Sequence, residues 1–258
     1  MQERQKNRAL YFQELATTSK KYFIPYISKH KEIKPDMHIL EIGCGDGGNL
    51  LPFSELGCRI TGVDMAGSRI KDAIRFFQEQ NRPGTFIASD IFKLKELEHQ
   101  FDIIICHDVL EHIENKGLFL SNLRRYVKED GIVFMSFPAW QMPFGGHQQI
   151  CKSKVVSHLP FIHLLPNFLY KSILKAGGED APCMKELFDI KKTRTSIELF
   201  EKLAKKENIT IFDRQLYFIN PHYETKFGLR PRKLSNIIGK VPYIRNYFTT
   251  SCFYILKF

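Results

Sequence analysis

The run Leu40-Glu41-Ile42-Gly43-Cys44-Gly45-Asp46-Gly47-Gly48-Asn49-Leu50 decides how this chain folds. The apolar residues from Met37 to Ile42 predict a buried strand, and the glycines after them predict a tight turn into a helix that starts at Asn49. Gly43, Gly45 and Gly47 carry no Cβ, so the backbone can bend sharply there and come close to a ligand. The first amides of the helix then face a crevice at the carboxyl end of the strand, the geometry of a nucleotide-type cofactor site. About twenty residues on, Ile60-Thr61-Gly62-Val63-Asp64 predicts a second strand ending in an acid, which can accept from the two vicinal hydroxyls of a ribose. Phe86-Ile87-Ala88-Ser89-Asp90-Ile91 predicts a third, with Asp90 placed to accept from an exocyclic adenine amine and Ile91 to pack on the ring. Phe101 to Cys106 then predicts a buried strand passing into a helix through His107-Asp108-Val109-Leu110-Glu111-His112-Ile113.

Together these residues resemble the class I S-adenosylmethionine-dependent methyltransferases over roughly residues 37–136. Glu41 to Gly47 is similar to that family's first motif, Asp64 to its ribose-binding acid, Asp90 to its adenine-binding acid, and Val109-Leu110-Glu111-His112-Ile113 to its "VLEHI" segment. The glycine pattern alone also fits an NAD-binding Rossmann fold, and the joint matches favour the methyltransferase. The resemblance implies an α/β, doubly wound, Rossmann-like sheet of seven strands, mostly parallel with an antiparallel last strand. It implies S-adenosyl-L-methionine as cofactor and S-adenosyl-L-homocysteine as product. The cofactor-binding residues are then Glu41, Gly43, Cys44, Gly45, Asp46, Asp64, Met65, Asp90, Ile91 and His107.

A chain of 258 residues suits one α/β domain with additions. Its six cysteines (44, 58, 106, 151, 183 and 252) are scattered without a C-x-x-C pair, which favours reduced thiols in a cytoplasm over a disulfide framework or a zinc site. The opening Met1 to Arg8 has no apolar core of a signal peptide, and no apolar run is long enough to span a membrane. The net charge of +10 is uneven. Residues 219–258 hold Lys226, Arg230, Arg232, Lys233, Lys240, Arg245 and Lys257 among aromatics, with Glu224 the single acid. This is either a solvated rim or a surface for an anionic substrate, a membrane or RNA.

Periodicity predicts a leading helix over 9–29 with a break at Pro25, a helix from Asn49 to Leu56 stopped by Gly57, and one from Gly67 to Asn81 burying Ile70, Ala73, Ile74 and Phe77. A further helix over 115–127, a turn at Glu129-Asp130-Gly131 and a strand from Ile132 to Phe137 close the first unit, residues 1–137. Residues 138–193 are too long for a plain loop and read as a helical cap. Residues 194–258 complete the sheet: a helix from Thr195 to Asn208 capped by Ser196, a strand from Ile209 to Ile219, a basic insertion over 220–246, and a strand from Tyr247 to Leu256.

Methyl transfer is an in-line displacement at a sulfonium carbon, so the protein must chiefly align donor and acceptor. A hydroxyl acceptor gains from a base or from a metal that lowers its pKa. His147, in Pro143-Phe144-Gly145-Gly146-His147-Gln148, is the first candidate for base, and His107 the second. On a helix, Asp108, Glu111 and His112 would share one face and could hold a divalent cation with His147; certain RNA 2′-O- and quinone O-methyltransferases of the family use a similar arrangement. Trp140 and Gln148 are weaker pocket candidates, and Tyr223, Lys226 and Arg230, with Lys171 and Lys175 of the cap, are candidates for an anionic acceptor.

The expectation is a methyltransferase acting on an oxygen of a small-molecule, glycan or lipid-linked acceptor, cytoplasmic or peripheral at the inner membrane face. The alternatives are an RNA-binding or RNA-modifying methyltransferase, metal-assisted or not, and a non-catalytic adapter with the same fold. DNA is not an expected partner, and the oligomeric state is left open.

Overall fold

The strand ahead of the glycine turn is His38–Ile42 (β1) in the computed structural model, which describes residues 7–258. The amino-terminal reading at residues 1–6 lies outside them. β1 pairs in parallel with Arg59–Asp64 (β2), and β2 with Thr85–Ala88 (β3). On the other side β1 pairs with Phe101–His107 (β4), and β4 with Val127–Phe137 (β5), again in parallel. Thr210–Ile219 (β6), Arg232–Lys233 (β7) and Ser251–Lys257 (β8) complete one sheet in the order β3-β2-β1-β4-β5-β8-β6-β7. β8 lies antiparallel between β5 and β6. The expected seven strands are therefore eight: just after Pro231, Arg232 and Lys233 add a short edge pairing to Ile219 and Tyr217. β8 also starts later than expected, because Ile244–Phe248 coils into a 3-10 turn first.

Crossover helices cover both faces of the sheet. Arg8–Thr18 (α1) and Ile24–Ser28 (α2) are joined by a wider π turn over Ser19–Phe23. Pro25 offers no N–H to the carbonyl four residues back, so the irregularity falls just upstream of it. α1 rests directly on the glycine turn: a Cβ on Gly48 would stand 2.5 Å from the carbonyl oxygen of Phe12. Leu51–Glu55 (α3) and Gly67–Glu79 (α4) follow. α4 buries Ile70, Ala73, Phe76 and Phe77, whereas Ile74 is 40% exposed. Lys116–Leu123 (α5) is shorter than expected because β5 already begins at Val127 and carries the Gly131 irregularity within it. Two apolar clusters occupy the two faces, one holding Ile104, Phe119, Phe137 and Phe200, the other Phe12, Phe23, Ile105 and Phe253. Each such side chain contributes roughly 1.5–3 kcal/mol by leaving water.

The cap consists of Lys154–His158 (α6), Asn167–Ala176 (α7) and Ala181–Thr193 (α8). It has its own small core of Cys151, Val156, Ile162, Tyr170, Leu174 and Leu187. Ile197–Lys206 (α9) follows, with the Ser196 hydroxyl accepting from the Leu199 amide at 3.1 Å and Ile197, Phe200 and Ala204 buried. The segment after β6 contains His222–Phe227 (α10) and Asn236–Gly239 (α11). α10 packs against α1, which draws the two distant ends of the chain together above the carboxyl edge of the sheet.

Candidate active site

The turn after β1 has Gly43, Gly45 and Gly47 at φ +72°, +52° and +82°, a backbone path that side chains with Cβ resist. Asp64, at the end of β2, fixes this turn. One of its carboxylate oxygens accepts from the Gly45 amide at 2.9 Å and the other from the Ala66 amide at 2.8 Å. The half-buried carboxylate is thereby fixed in place with lone pairs to spare. Asp90 caps the short turn after β3, Oδ1 accepting from Phe92 N at 3.1 Å, and is likewise half-buried. Met65 stands 81% exposed beside Asp64.

Four of the residues expected to bind a cofactor have their side chains engaged elsewhere. Glu41 is buried beneath the turn and accepts from the Asn49 amide group at 2.7 Å; burial pushes its carboxyl up to about 8. The Cys44 thiol is buried against Gly62. Asp46 is fully buried and ion-paired with Arg8 of α1. The side chain of Ile91 lies in the core at 5% exposure, and its carbonyl accepts from the Tyr126 hydroxyl at 2.7 Å.

Beyond the turn lies a cavity of about 380 Å³. α1 supplies Arg8 and Tyr11 to its wall, and the end of β4 supplies Asp108, Glu111 and His112. The stretch after β5 adds Met142, His147 and Gln149, α8 adds Glu186, and the stretch after β6 adds Asn220, His222, Tyr223 and Lys226. Two motifs far apart in sequence, Pro143-to-Gln149 and Asn220-to-Lys226, thus face one space.

The segment after β4 is not the α-helix that the sequence suggests. Asp108 adopts a left-handed conformation at φ +53°, and only Leu110–His112 coils, as a 3-10 turn. The spacing argument that put Asp108, Glu111 and His112 on one helical face therefore fails. A different trio forms instead: ligand atoms of Glu111, His112 and His147 lie within 4.8 Å of one another, without Asp108. His147 Nε2 is 4.0 Å from Glu111 Oε1, and the two histidine rings meet edge-on with centroids 5.4 Å apart. His147 is itself held at φ +59°.

Both carboxylate oxygens of Glu111 are buried without a hydrogen-bond partner. Burial first, and then the charge of Asp108, hold this carboxyl well above its ordinary value. Burial and the neighbouring His112 lower His147 to about 4, so its imidazole is neutral near pH 7 with a lone pair available. An orphaned carboxylate beside two neutral imidazoles is a donor set that suits a divalent cation. Tyr11 and Tyr223 are each pushed up to about 12, by burial and then by Asp108, so both stay protonated donors.

Other expected site residues lie apart from this cavity. His107 packs on Phe23 with centroids 4.9 Å apart, and its side chain is 8% exposed. Trp140 is buried against His163, whose Nε2–H donates to the Trp140 carbonyl at 2.8 Å. Gln148 ties the cap together through Pro143 and Leu159 carbonyls. Lys171 and Lys175 line a separate groove between α7 and α8, and Arg230 is exposed outside the cavity. The sequence reading passed over Tyr11, Arg69 and Glu186, none of which sits in a motif; only the fold brings them to the cavity. It also missed that Cys151 and Cys183 meet beside Glu179 inside the cap, where the Glu179 oxygens accept from the Lys152 and Ser153 amides at 2.9 Å.

Comparison with known proteins follows this geometry. A family model described as a methyltransferase domain matches residues 40–135. The ubiquinone biosynthesis O-methyltransferase of Rickettsia bellii is 34% identical over 115 residues, 45% of this chain and 48% of that protein. Its counterpart in Rickettsia canadensis is 32% identical over the same shares. The chain thus spans about half the length of the curated relatives it matches. Among solved structures, the plantazolicin methyltransferase in complex with S-adenosyl-L-homocysteine matches at a TM-score of 0.54 and 17% identity, over 97% of this chain and 86% of that one. The magnesium protoporphyrin IX methyltransferase of Synechocystis, also with that product bound, matches at 0.54 and 16%, over 99% and 87%. Fold, glycine turn and matched domain agree: residues 40–135 match a methyltransferase domain, and the chain has the fold of methyltransferases solved with S-adenosyl-L-homocysteine bound.

Proposed function

We propose that this chain moves the methyl group of S-adenosylmethionine to an oxygen of a small-molecule, glycan-linked or lipid-linked acceptor. The observation that carries this reading is the junction of two half-sites. The turn amides, Asp64 and Asp90 suit an adenosyl group, and the cavity holding Glu111, His112 and His147 adjoins the turn at Arg69, which lies beside Gly45 and lines that cavity. The choice of oxygen draws on the Rickettsia relatives, whose names specify O-methylation.

In the reaction, the acceptor oxygen attacks the methyl carbon in line with the carbon–sulfur bond. That bond breaks with its electron pair left on sulfur, and the acceptor's proton departs. The neutral His147 imidazole is the group placed to take that proton. Tyr11 and Tyr223, as protonated donors, orient polar atoms of the acceptor. Glu111, His112 and His147 would hold a divalent cation, and such an ion supplies Lewis acidity that lowers the pKa of a hydroxyl. Were such an ion bound, His147 would serve as one of its ligands rather than as the base.

The test is a product-trapping screen. The protein is incubated with methyl-labelled cofactor and cell extract, and labelled products are identified by mass spectrometry. A labelled oxygen ether or ester supports the proposal, and label found solely on nitrogen overturns the oxygen assignment. Repeating the screen after chelation separates metal-assisted from metal-independent transfer.

A further inference from the structure

The surface between β6 and β8 is apolar to an unusual degree. Ile237 on α11 is 82% exposed, and Tyr243 is 69% exposed, with Val241, Ile244, Tyr247 and Phe248 also open to solvent. Scattered apolar residues on a surface need no explanation, but these crowd into one short stretch in which α11 packs on the Ile244–Phe248 turn. The cap extends it, since the Phe161 ring, itself 39% exposed, lies 6.4 Å from that of Tyr247.

This loop is held rigidly. Tyr243 has φ +64° and ψ −46°, and Ile244 N donates to Pro242 O at 2.7 Å, a tight turn that is strained for any residue with a Cβ. A polar network beneath holds it there. Glu198 Oε1 accepts from Tyr243 N at 2.8 Å and from Arg245 Nε at 2.9 Å, and its other oxygen accepts from Asn246 Nδ2 at 2.5 Å. Arg245, 6% exposed, also donates to Glu201 at 2.8 Å. A buried network thus spends conformational strain to present aromatic and branched side chains to water.

Apart from Glu198 and Glu201, which the network engages, the loop's own stretch of chain carries charge of one sign. No Asp or Glu occurs between Thr225 and Phe258. Arg245 is consumed by the network and Lys257 lies 3.8 Å over the Phe212 ring, but Arg230, Arg232, Lys233 and Lys240 are exposed. Apolar and aromatic side chains flanked by cations alone suit the headgroup region of an anionic bilayer. No helix among the described residues is long and apolar enough to cross a membrane, so such a face would lie on the surface. Thr250, two residues past Phe248, lines the cavity, which sets this face beside the acceptor's space.

We infer that the 237–248 loop, with its flanking cations, seats the protein on an anionic lipid bilayer. This inference deepens the lipid-linked acceptor reading and rests on it for its purpose, though not for its test. The test uses the full chain in co-sedimentation with vesicles of phosphatidylcholine, with and without phosphatidylglycerol. Binding is expected to phosphatidylglycerol vesicles only, weakening with added salt. Tyr243→Asp and Ile237→Asp should each weaken it by about tenfold, and Arg232→Gln with Lys233→Gln by a comparable factor. S-adenosylmethionine binding, followed by calorimetry, should stay as in the parent and report that each variant is folded. No vesicle binding at low salt overturns the inference. So does binding that survives Tyr243→Asp and Ile237→Asp but fails on Lys171→Glu with Lys175→Glu, which would move the contact to the groove between α7 and α8. Self-association abolished by Tyr243→Asp, without vesicle binding, would assign the face to a second copy and likewise overturn it. Failure here leaves cofactor binding intact, whereas failure of the methyltransferase reading would appear in the calorimetry.

Discussion

On the side of β1, β2 and β3 the crevice is made from strand ends and the turns directly after them: Gly43 to Gly47 follow β1, Asp64 ends β2, and Asp90 follows β3. On the side of β4 and β5 it is made from pieces that meet only in the folded molecule. Glu111 follows β4, His147 lies in the cap, Tyr223 follows β6 and Tyr11 belongs to the first helix. The first half is rich in backbone donors and in acids held by amides. The second is rich in buried side chains shifted from their ordinary pKa values. A scaffold that grips one invariant ligand can be written locally, whereas a pocket for a particular acceptor needs contributions from insertions that vary in length and content.

If the halves are separable, variants should affect one without the other. The largest effect is expected on the acceptor side. Glu111→Gln or His147→Ala should slow turnover by roughly 10²–10⁴-fold, while calorimetry shows cofactor affinity unchanged. Loss of cofactor binding in these variants would break the comparison. On the other side, Asp64→Ala should weaken cofactor binding by roughly 1–3 kcal/mol, the scale of charge-assisted hydrogen bonds left unmade. Unaltered affinity would remove Asp64 as the ribose anchor.

Glu41 sharpens the contrast further, because it supports the first half from below. Its folded carboxyl keeps a proton up to about 8, whereas the unfolded chain releases it near the ordinary 4.5. Between those values the native state binds more protons than the unfolded state, so stability falls as pH rises through that window. Glu41→Gln should flatten this slope in thermal melts recorded across it; an unchanged slope would mean the carboxyl is already ionised in the fold. The smallest effect is expected for His107→Phe, which preserves the ring packing on Phe23. Turnover and cofactor affinity should then stay within about threefold, less than a single hydrogen bond's worth. A large loss would return His107 to the working site.

The sequence made the first half readable because each element there is short and its signal local. Glycines without Cβ, an acid at a strand end and an apolar run of strand length are all visible within ten residues of one another. A position read from the string does not give the side chain's neighbours. Ile91 belongs to a strong local pattern, yet its side chain faces the core, and Asp46 is neutralised by an arginine from another element. The second half misled for a different reason. Spacing of i, i+3 and i+4 means one face only on a helix, and the left-handed Asp108 ends that premise. His147 is legible as unusual and is grouped with Glu111 and His112 as a candidate metal set, but a linear string holds no distance, and only the fold sets residue 147 at 4.0 Å from residue 111. The two-residue β7 escaped detection because a strand of that length has no period to find.

The first helix leans its backbone on Gly48 and closes Arg8 onto Asp46, and Tyr11 walls the cavity from above. One side of the chamber is therefore the most amino-terminal helix described, the kind of element that opens most readily by fraying. The glycine turn and the cavity wall are thus held by one shared helix, so a change that loosens its docking reaches both at once.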